Sequence, residues 1–123
     1  MYTLDTNAII YYLKGDSSAV SFLTNIFAKE TPIYISAITE LELFSFRKLD
    51  EKEIAHIDTL LKTVVIISVD SRIARIAGSL RQQYNIKVPD SIIAATTMLT
   101  GSTLITRNIA DFKKIPNFRF AHL

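Results

Sequence analysis

Four acidic residues, Asp5, Glu42, Asp90 and Asp111, stand where short apolar runs hand over to a helix or turn. Small polar groups surround them, in Leu4-Asp5-Thr6-Asn7, Thr39-Glu40-Leu41-Glu42-Leu43, Pro89-Asp90-Ser91 and Thr106-Arg107-Asn108-Ile109-Ala110-Asp111-Phe112. In a chain that alternates strands with helices, such handover points collect along one edge of a sheet, and ligands bind beyond that edge. Carboxylates gathered there repel one another unless a cation sits among them. Oxygen-only donors favour Mg²⁺ or Mn²⁺. A cation so held lowers the pKa of bound water.

Each acid also has a plainer use. Asp5 and Asp90 suit helix N-caps, where a side-chain oxygen takes an orphan amide for about 1 kcal/mol. Thr39 with Glu42, and Asn108 with Asp111, match the capping box, as do Asp50 and Glu53 in a charge-rich turn. Asp70 reads as an ordinary cap. The joint pattern favours chemistry, because Asp5-Thr6-Asn7 and Thr106-Arg107-Asn108 leave several polar groups to satisfy at buried strand ends. Glu40 is the rival of Glu42. Two residues apart on a helix they point to different faces, whereas Thr39 and Glu42 share one, so Glu42 is chosen and Glu40 is expected in solvent.

The elements that must position these groups follow from periodicity. Strands are expected at Tyr2–Leu4, Ile33–Ser36, Val64–Val69 (the clearest, β-branched throughout), Thr103–Ile105 and, more weakly, Phe118–Phe120. Helices are expected over Thr6–Leu13, Ser17–Lys29, Thr39–Lys48, from Asp50 with Ile54, Ile57, Leu60 and Leu61 inward, Asp70–Tyr84, and from Asp90 to Gly101. Alternation with few hairpin signals implies an α/β fold, a parallel sheet with helices on both faces. Asp90 precedes the fourth strand, so its place at the carboxyl edge is expected to need a helix that crosses the top of the sheet.

At 123 residues the chain is expected to form one domain, 1–123. It has no cysteine, which excludes disulfides, thiolate metal sites and a cysteine nucleophile. Residues 1–62 hold six Lys/Arg against nine Asp/Glu, and residues 63–123 hold eight against three. An acidic site beside a basic half suits a polyanion. Met1–Asp5 lacks the basic and apolar stretches of a signal peptide, and the longest uncharged stretch, Ser91–Thr106, falls short of a membrane span. The expected location is the cytoplasm. Gly15, Gly78 and Gly101 stand alone, so there is no glycine-rich phosphate loop, and His56 and His122 read as surface residues rather than catalytic bases. An aspartyl phosphatase would carry a second Asp where this chain has Asn7.

With these motifs in this order, the chain resembles the PIN-domain ribonucleases, in particular the short VapC-type toxins of toxin–antitoxin pairs. The resemblance rests on Leu4–Asn7, Ile35–Leu43, Pro89–Thr96 and Thr106–Phe112, and covers essentially the whole chain. It implies a three-layer α/β/α fold with a parallel five-stranded sheet and an acidic pocket holding Mg²⁺ or Mn²⁺. It also implies hydrolysis of RNA, homodimers, and silencing by a co-encoded antitoxin. By motif, Asp5, Glu42, Asp90 and Asp111 form the acidic set, with Asp5 and Asp90 the most direct ligands. Thr6, Asn7, Thr39, Thr106 and Asn108 order them from a second layer. Arg107 is the favoured contact to the RNA backbone, ahead of Lys113, Lys114 and Arg119. Two departures stand out: Phe44-Ser45-Phe46 where relatives place glycine, and a middle that looks trimmed. Tyr11, Tyr12, Phe44 and Phe46, at helical spacing, read first as core and only second as a dimer or antitoxin surface. The alternative is a degenerate PIN module that binds RNA or a protein without cutting.

Overall fold

Short runs of β-branched and apolar residues form five strands, which the computed structural model, describing residues 1–123, joins in one sheet. They are β1 (Tyr2–Leu4), β2 (Ile33–Ser36), β3 (Val65–Ile67), β4 (Thr103–Thr106) and β5 (Phe120–His122), in the order β3-β2-β1-β4-β5. Every pairing is parallel, with Leu4 opposite Ile105, Ser36 opposite Ile67 and Thr106 opposite His122. Six helices connect them: α1 (Thr6–Leu13), α2 (Ser17–Phe27), α3 (Ala37–Phe44), α4 (Glu51–Leu61), α5 (Ser71–Tyr84) and α6 (Val88–Thr100).

Period-two alternation divides the core between the faces of the sheet. Leu4, Ile33, Ile35 and Ile105 pack with Ile9, Leu23, Leu43 and Ile57 from α1 to α4. Leu104 faces the other way, onto Leu80 of α5, Ile93 of α6 and Phe112. The expected three layers are present. Phe112 opens a 3-10 turn (Phe112–Lys114), is fully buried, and stacks on Phe118 with ring centroids 5.7 Å apart. Phe112→Ala is expected to cost about 3–5 kcal/mol in a denaturant titration, because the cavity cannot close under a strand and two helices.

Several boundaries move. The run Val64–Val69 yields only the three-residue edge strand β3, with Val65, Ile66 and Val69 exposed. β5 lies two residues later than Phe118–Phe120. Helix α3 starts at Ala37, capped by Ser36 Oγ on the Ile38 amide at 3.1 Å, and ends at Phe44 rather than Lys48. Ile54 of α4 is turned to solvent, while Ile57 and Leu60 are buried. Helix α6 starts at Val88 with Pro89 in its first turn, and its N-cap Lys87 makes no side-chain capping bond. Asn85, in the left-handed conformation at φ 53°, ends α5 and turns the chain into α6.

The path of α6 differs from expectation. Its first turn feels the charge of Asp5, at the end of β1. Its far end reaches Ser102, whose Oγ lies 2.6 Å from Thr3 Oγ1, and Thr103 pairs with Tyr2 at the start of β1. The helix therefore begins at the carboxyl edge and descends antiparallel to the strands. No crossing of the top is needed.

Candidate active site

The strand order reverses direction at β1. The chain builds outward through β2 and β3, then returns to place β4 and β5 on the other side. The crevice between the carboxyl ends of β1 and β4 is the switch point where such sheets bind ligands. Asp5 and Thr106 end those two strands, and the Asp5 amide donates to Ile105 O at 3.0 Å.

Asp5 is 3% exposed and anchored by three donors. Its Oδ1 accepts from the Thr6 amide at 2.8 Å; its Oδ2 accepts from Asn7 Nδ2 at 3.0 Å and Thr106 Oγ1 at 2.6 Å. Those bonds fill both lone pairs of Oδ2 and one of Oδ1, leaving one directed acceptor for a ligand. Burial raises the pKa of the carboxyl despite the bonds from Thr106 and Thr6, and the charge of Glu42 pushes the same way. Asn108 donates its amide to Thr106 Oγ1 at 3.0 Å, which holds the hydroxyl on Asp5. Thr106→Val is expected to cut activity about 10- to 100-fold, with Thr106→Ser restoring most of it, since only the serine keeps the donor. Cleavage rates of the two variants decide this.

Glu42 enters from α3. Thr6 Oγ1 lies 2.7 Å from Glu42 Oε1 and 3.0 Å from Thr39 Oγ1. A hydroxyl has one proton, so Thr6 gives it to the nearer, charged Glu42, with Thr39 Oγ1 as the alternative acceptor. The Thr39–Glu42 spacing therefore places both beside Thr6. It is not a capping box, since both residues lie inside α3. Glu40 is half-buried rather than fully solvated, with no side-chain partner.

Asp90 sits in the first turn of α6 and does not cap it. Its carboxyl is pushed up to about 7, chiefly by burial, then by the charges of Asp5, Asp111 and Glu42. Protonated Asp90 donates a hydrogen bond to Asp111. Asp111 also makes no capping bond. Desolvation raises the Asp111 carboxyl, but hydrogen bonds from Lys114 and Asp90 outweigh it and hold the group below its ordinary value. Lys114 Nζ lies 3.1 Å from Asp111 Oδ1 and also donates to Asn85 O. The four acids thus meet at one edge and act on one another electrostatically. No three of them converge to a ready-made cage for an ion.

The basic residues are employed differently from expectation. Arg107 Nη2 and Nη1 donate to Asp16 at 2.9 and 3.3 Å, and Cζ lies 4.0 Å from the centroid of Tyr11. The guanidinium assigned from sequence to the RNA backbone is therefore engaged within the fold. Arg119 donates to Gly101 O, remote from the acids, while Lys113 is exposed. Asp16, capping α2 on the Ala19 amide, was not singled out by the sequence; a cap after Gly15 carries no sign of a partner ninety-one residues away. Of the four aromatics, Tyr12 packs edge-on to Phe27 and Tyr11 carries Arg107, whereas Phe44 and Phe46 are exposed. His56 and His122 are exposed. A surface depression of about 940 Å³, lined by Tyr12, Val20, Phe27 and Leu60 among others, contains none of the four acids. No helix is long and apolar enough to cross a membrane.

The chain as a whole is similar to several known proteins. Ribonuclease VapC2 of Rickettsia felis is 30% identical over 125 residues, covering 95% of this chain and 93% of that protein. Ribonuclease VapC19 of Mycobacterium tuberculosis is 28% identical over 124 residues, covering 97% and 98%. A solved toxin–antitoxin complex from Klebsiella pneumoniae superposes with TM-score 0.80 at 35% identity, covering 94% of this chain and 93% of that one. VapBC2 from Rickettsia felis, bound to a DNA fragment from its promoter, superposes at 0.83 with 29% identity, covering 99% and 98%. A PIN-domain model matches residues 2–117, and on that match the chain belongs to the PIN-domain family.

Proposed function

We propose that this chain is a metal-dependent endoribonuclease, the toxin of a toxin–antitoxin pair, acting in the cytoplasm. The observation that carries the reading is Asp90: burial and three carboxylates from three other segments hold its carboxyl at about 7. A structural cap gains nothing from such a setting, whereas a cation site does. The two curated relatives named as ribonucleases, and the solved toxin–antitoxin complexes, support the activity and a protein antitoxin as partner. A homodimer remains part of the proposal, with exposed Phe44 and Phe46 available to it.

The donor set fits a small hard cation. It is all oxygen, its charges repel, and Mg²⁺ commonly takes one or two carboxylates and completes its shell with water, so a closed protein cage is not required. Asp5 and Asp90 would hold it, with Glu42 and Asp111 completing the ring. When bound, Mg²⁺ or Mn²⁺ lowers the pKa of coordinated water and neutralises charge on the phosphoryl oxygens. The protein supplies the rest. Asp5 is locked by Thr6, Asn7 and Thr106; Glu42 is held by Thr6. Asp111, kept ionised beside Lys114, is a carboxylate able to accept a proton from attacking water. Water oxygen adds to phosphorus, the bond to the 3′-oxygen breaks, and that oxygen takes a proton. The products carry a 5′-phosphate and a 3′-hydroxyl.

Sequencing of RNA ends after brief expression tests the activity and identifies the target together. New 5′-phosphate ends are expected with wild type and not with Asp90→Asn. Identical end profiles for the two would favour the binding-only module.

A further inference from the structure

We propose that Arg107 is a positioning residue: clamped to Asp16 and stacked on Tyr11, it latches the loop carrying Asn108 and Asp111 against the α1–α2 corner. The loop runs from the end of β4 at Thr106 to the 3-10 turn at Phe112. Its start is pinned on the α1 side, where the Arg107 amide donates to Asn7 Oδ1 at 3.2 Å and Asn7 Nδ2 donates to Asp5. The side chain then reaches back over α1. Two guanidinium nitrogens meet the two oxygens of Asp16, a paired geometry that adds direction to charge. The flat cation lies 4.0 Å from the Tyr11 centroid, and the pair is half-buried, its side chains 27% and 33% exposed.

This geometry leaves little for a phosphate. Three guanidinium N–H groups are left over, but Asp16 already matches the charge and Tyr11 covers one face of the plane. Lys87 and Lys113, both exposed and without side-chain partners, are free for a polyanion. Asp16 Oδ1 also caps α2 on the Ala19 amide, so the latch joins a helix start, a helix face and the acidic loop. Lysine cannot replace arginine here, having neither the fork nor the plane. The activity part of the inference rests on the nuclease reading; the loop-fixing part stands without it.

The test compares Arg107→Ala, Asp16→Ala, the double variant and Arg107→Lys. Cleavage is followed on a randomised 20-nucleotide RNA pool, binding on the same pool labelled with fluorescein in EDTA, and loop order by amide hydrogen exchange. Both single variants are expected to lose kcat by a similar factor, about 10- to 100-fold, with KM unchanged. The double variant should lose no more than the worse single, because one interaction is removed twice. RNA binding should stay within about twofold of wild type, Arg107→Lys should not rescue, and faster exchange should be confined to residues 107–111 in Arg107→Ala, joined in Asp16→Ala by the first turn of α2, which loses its cap. Weaker RNA binding by Arg107→Ala but not by Asp16→Ala overturns the proposal, as do additive losses. If wild type cleaves no RNA, the nuclease reading fails, and exchange alone decides the latch: unchanged protection of 107–111 in both single variants overturns it. Should Asp16→Ala not fold, Asp16→Asn keeps the cap and removes the charge; the same loop is then expected to loosen, and unchanged protection counts against the latch.

Discussion

In protein stripped of divalent cations, Asp90→Asn is expected to raise stability at pH 8 and to flatten its dependence on pH between about 4 and 7. The Asp90 carboxyl is held at about 7 by burial and then by Asp5, Asp111 and Glu42, whereas an unfolded Asp titrates near 3.9. Between those values the folded chain keeps a proton that the unfolded chain has released. Stability therefore falls as pH climbs from about 4 to 7, and the loss is complete above 7. Because the carboxyl is only partly buried and solvent screens its charged neighbours, the penalty on the wild-type fold falls well short of the ~4 kcal/mol that the unscreened interval would give. Asparagine carries no charge and can still donate to Asp111, so the variant escapes the penalty. Asp70 moves the opposite way: the Ile73 amide holds its carboxyl below the ordinary value, so its contribution is present above about pH 4 and lost as pH falls. Thermal melts in EDTA at pH 4.5 and 8 read the difference. A wild type that loses no more stability than Asp90→Asn on raising the pH would remove the charge cluster from the account.

The second large effect falls on activity. Asp5→Asn is expected to lower RNA cleavage by about 10³-fold or more, the scale of several kcal/mol of lost charge stabilisation. Asparagine cannot satisfy the site in either orientation. One places its NH2 against the Thr6 amide; the other places it against Asn7 Nδ2 and the Thr106 hydroxyl. The mismatch costs about 1–3 kcal/mol, offset in part by removing a buried charge beside Glu42. The variant should therefore fold, with a circular dichroism spectrum like wild type, and fail to cut. Retained cleavage within about tenfold would move the reaction away from Asp5.

Much of the site was legible because its residues sit at strand ends, where polarity is costly and so shows in the pattern. Asp5-Thr6-Asn7 and Thr106-Arg107-Asn108 were conspicuous for that reason, and both lie at the crevice between β1 and β4. What local patterns misread were residues with two uses. Ser36 both ends β2 and caps α3, which hid the true helix start behind Thr39. Pro89 marks the first turn of α6, so Asp90 is inside the helix and free of capping. The β-branched run at Val64–Val69 promised a long strand. It forms an edge with one neighbour, and β-propensity reports fit to a pleated surface rather than position in the sheet. The Arg107–Asp16 pair spans distant segments and left no periodic trace, so the guanidinium read as free.

The account turns on four carboxylates behaving as one cation site. Calorimetric titration with Mn²⁺ at pH 6.5, repeated in two buffers of different ionisation enthalpy, addresses it directly. Wild type is expected to bind Mn²⁺ with release of a proton, because Asp90 is largely protonated there and a ligand must be deprotonated. Asp5→Asn and Asp90→Asn should each bind at least about tenfold more weakly, and Asp90→Asn should release no proton. Mn²⁺ affinity equal in wild type and both variants, or binding without proton release, would contradict the account.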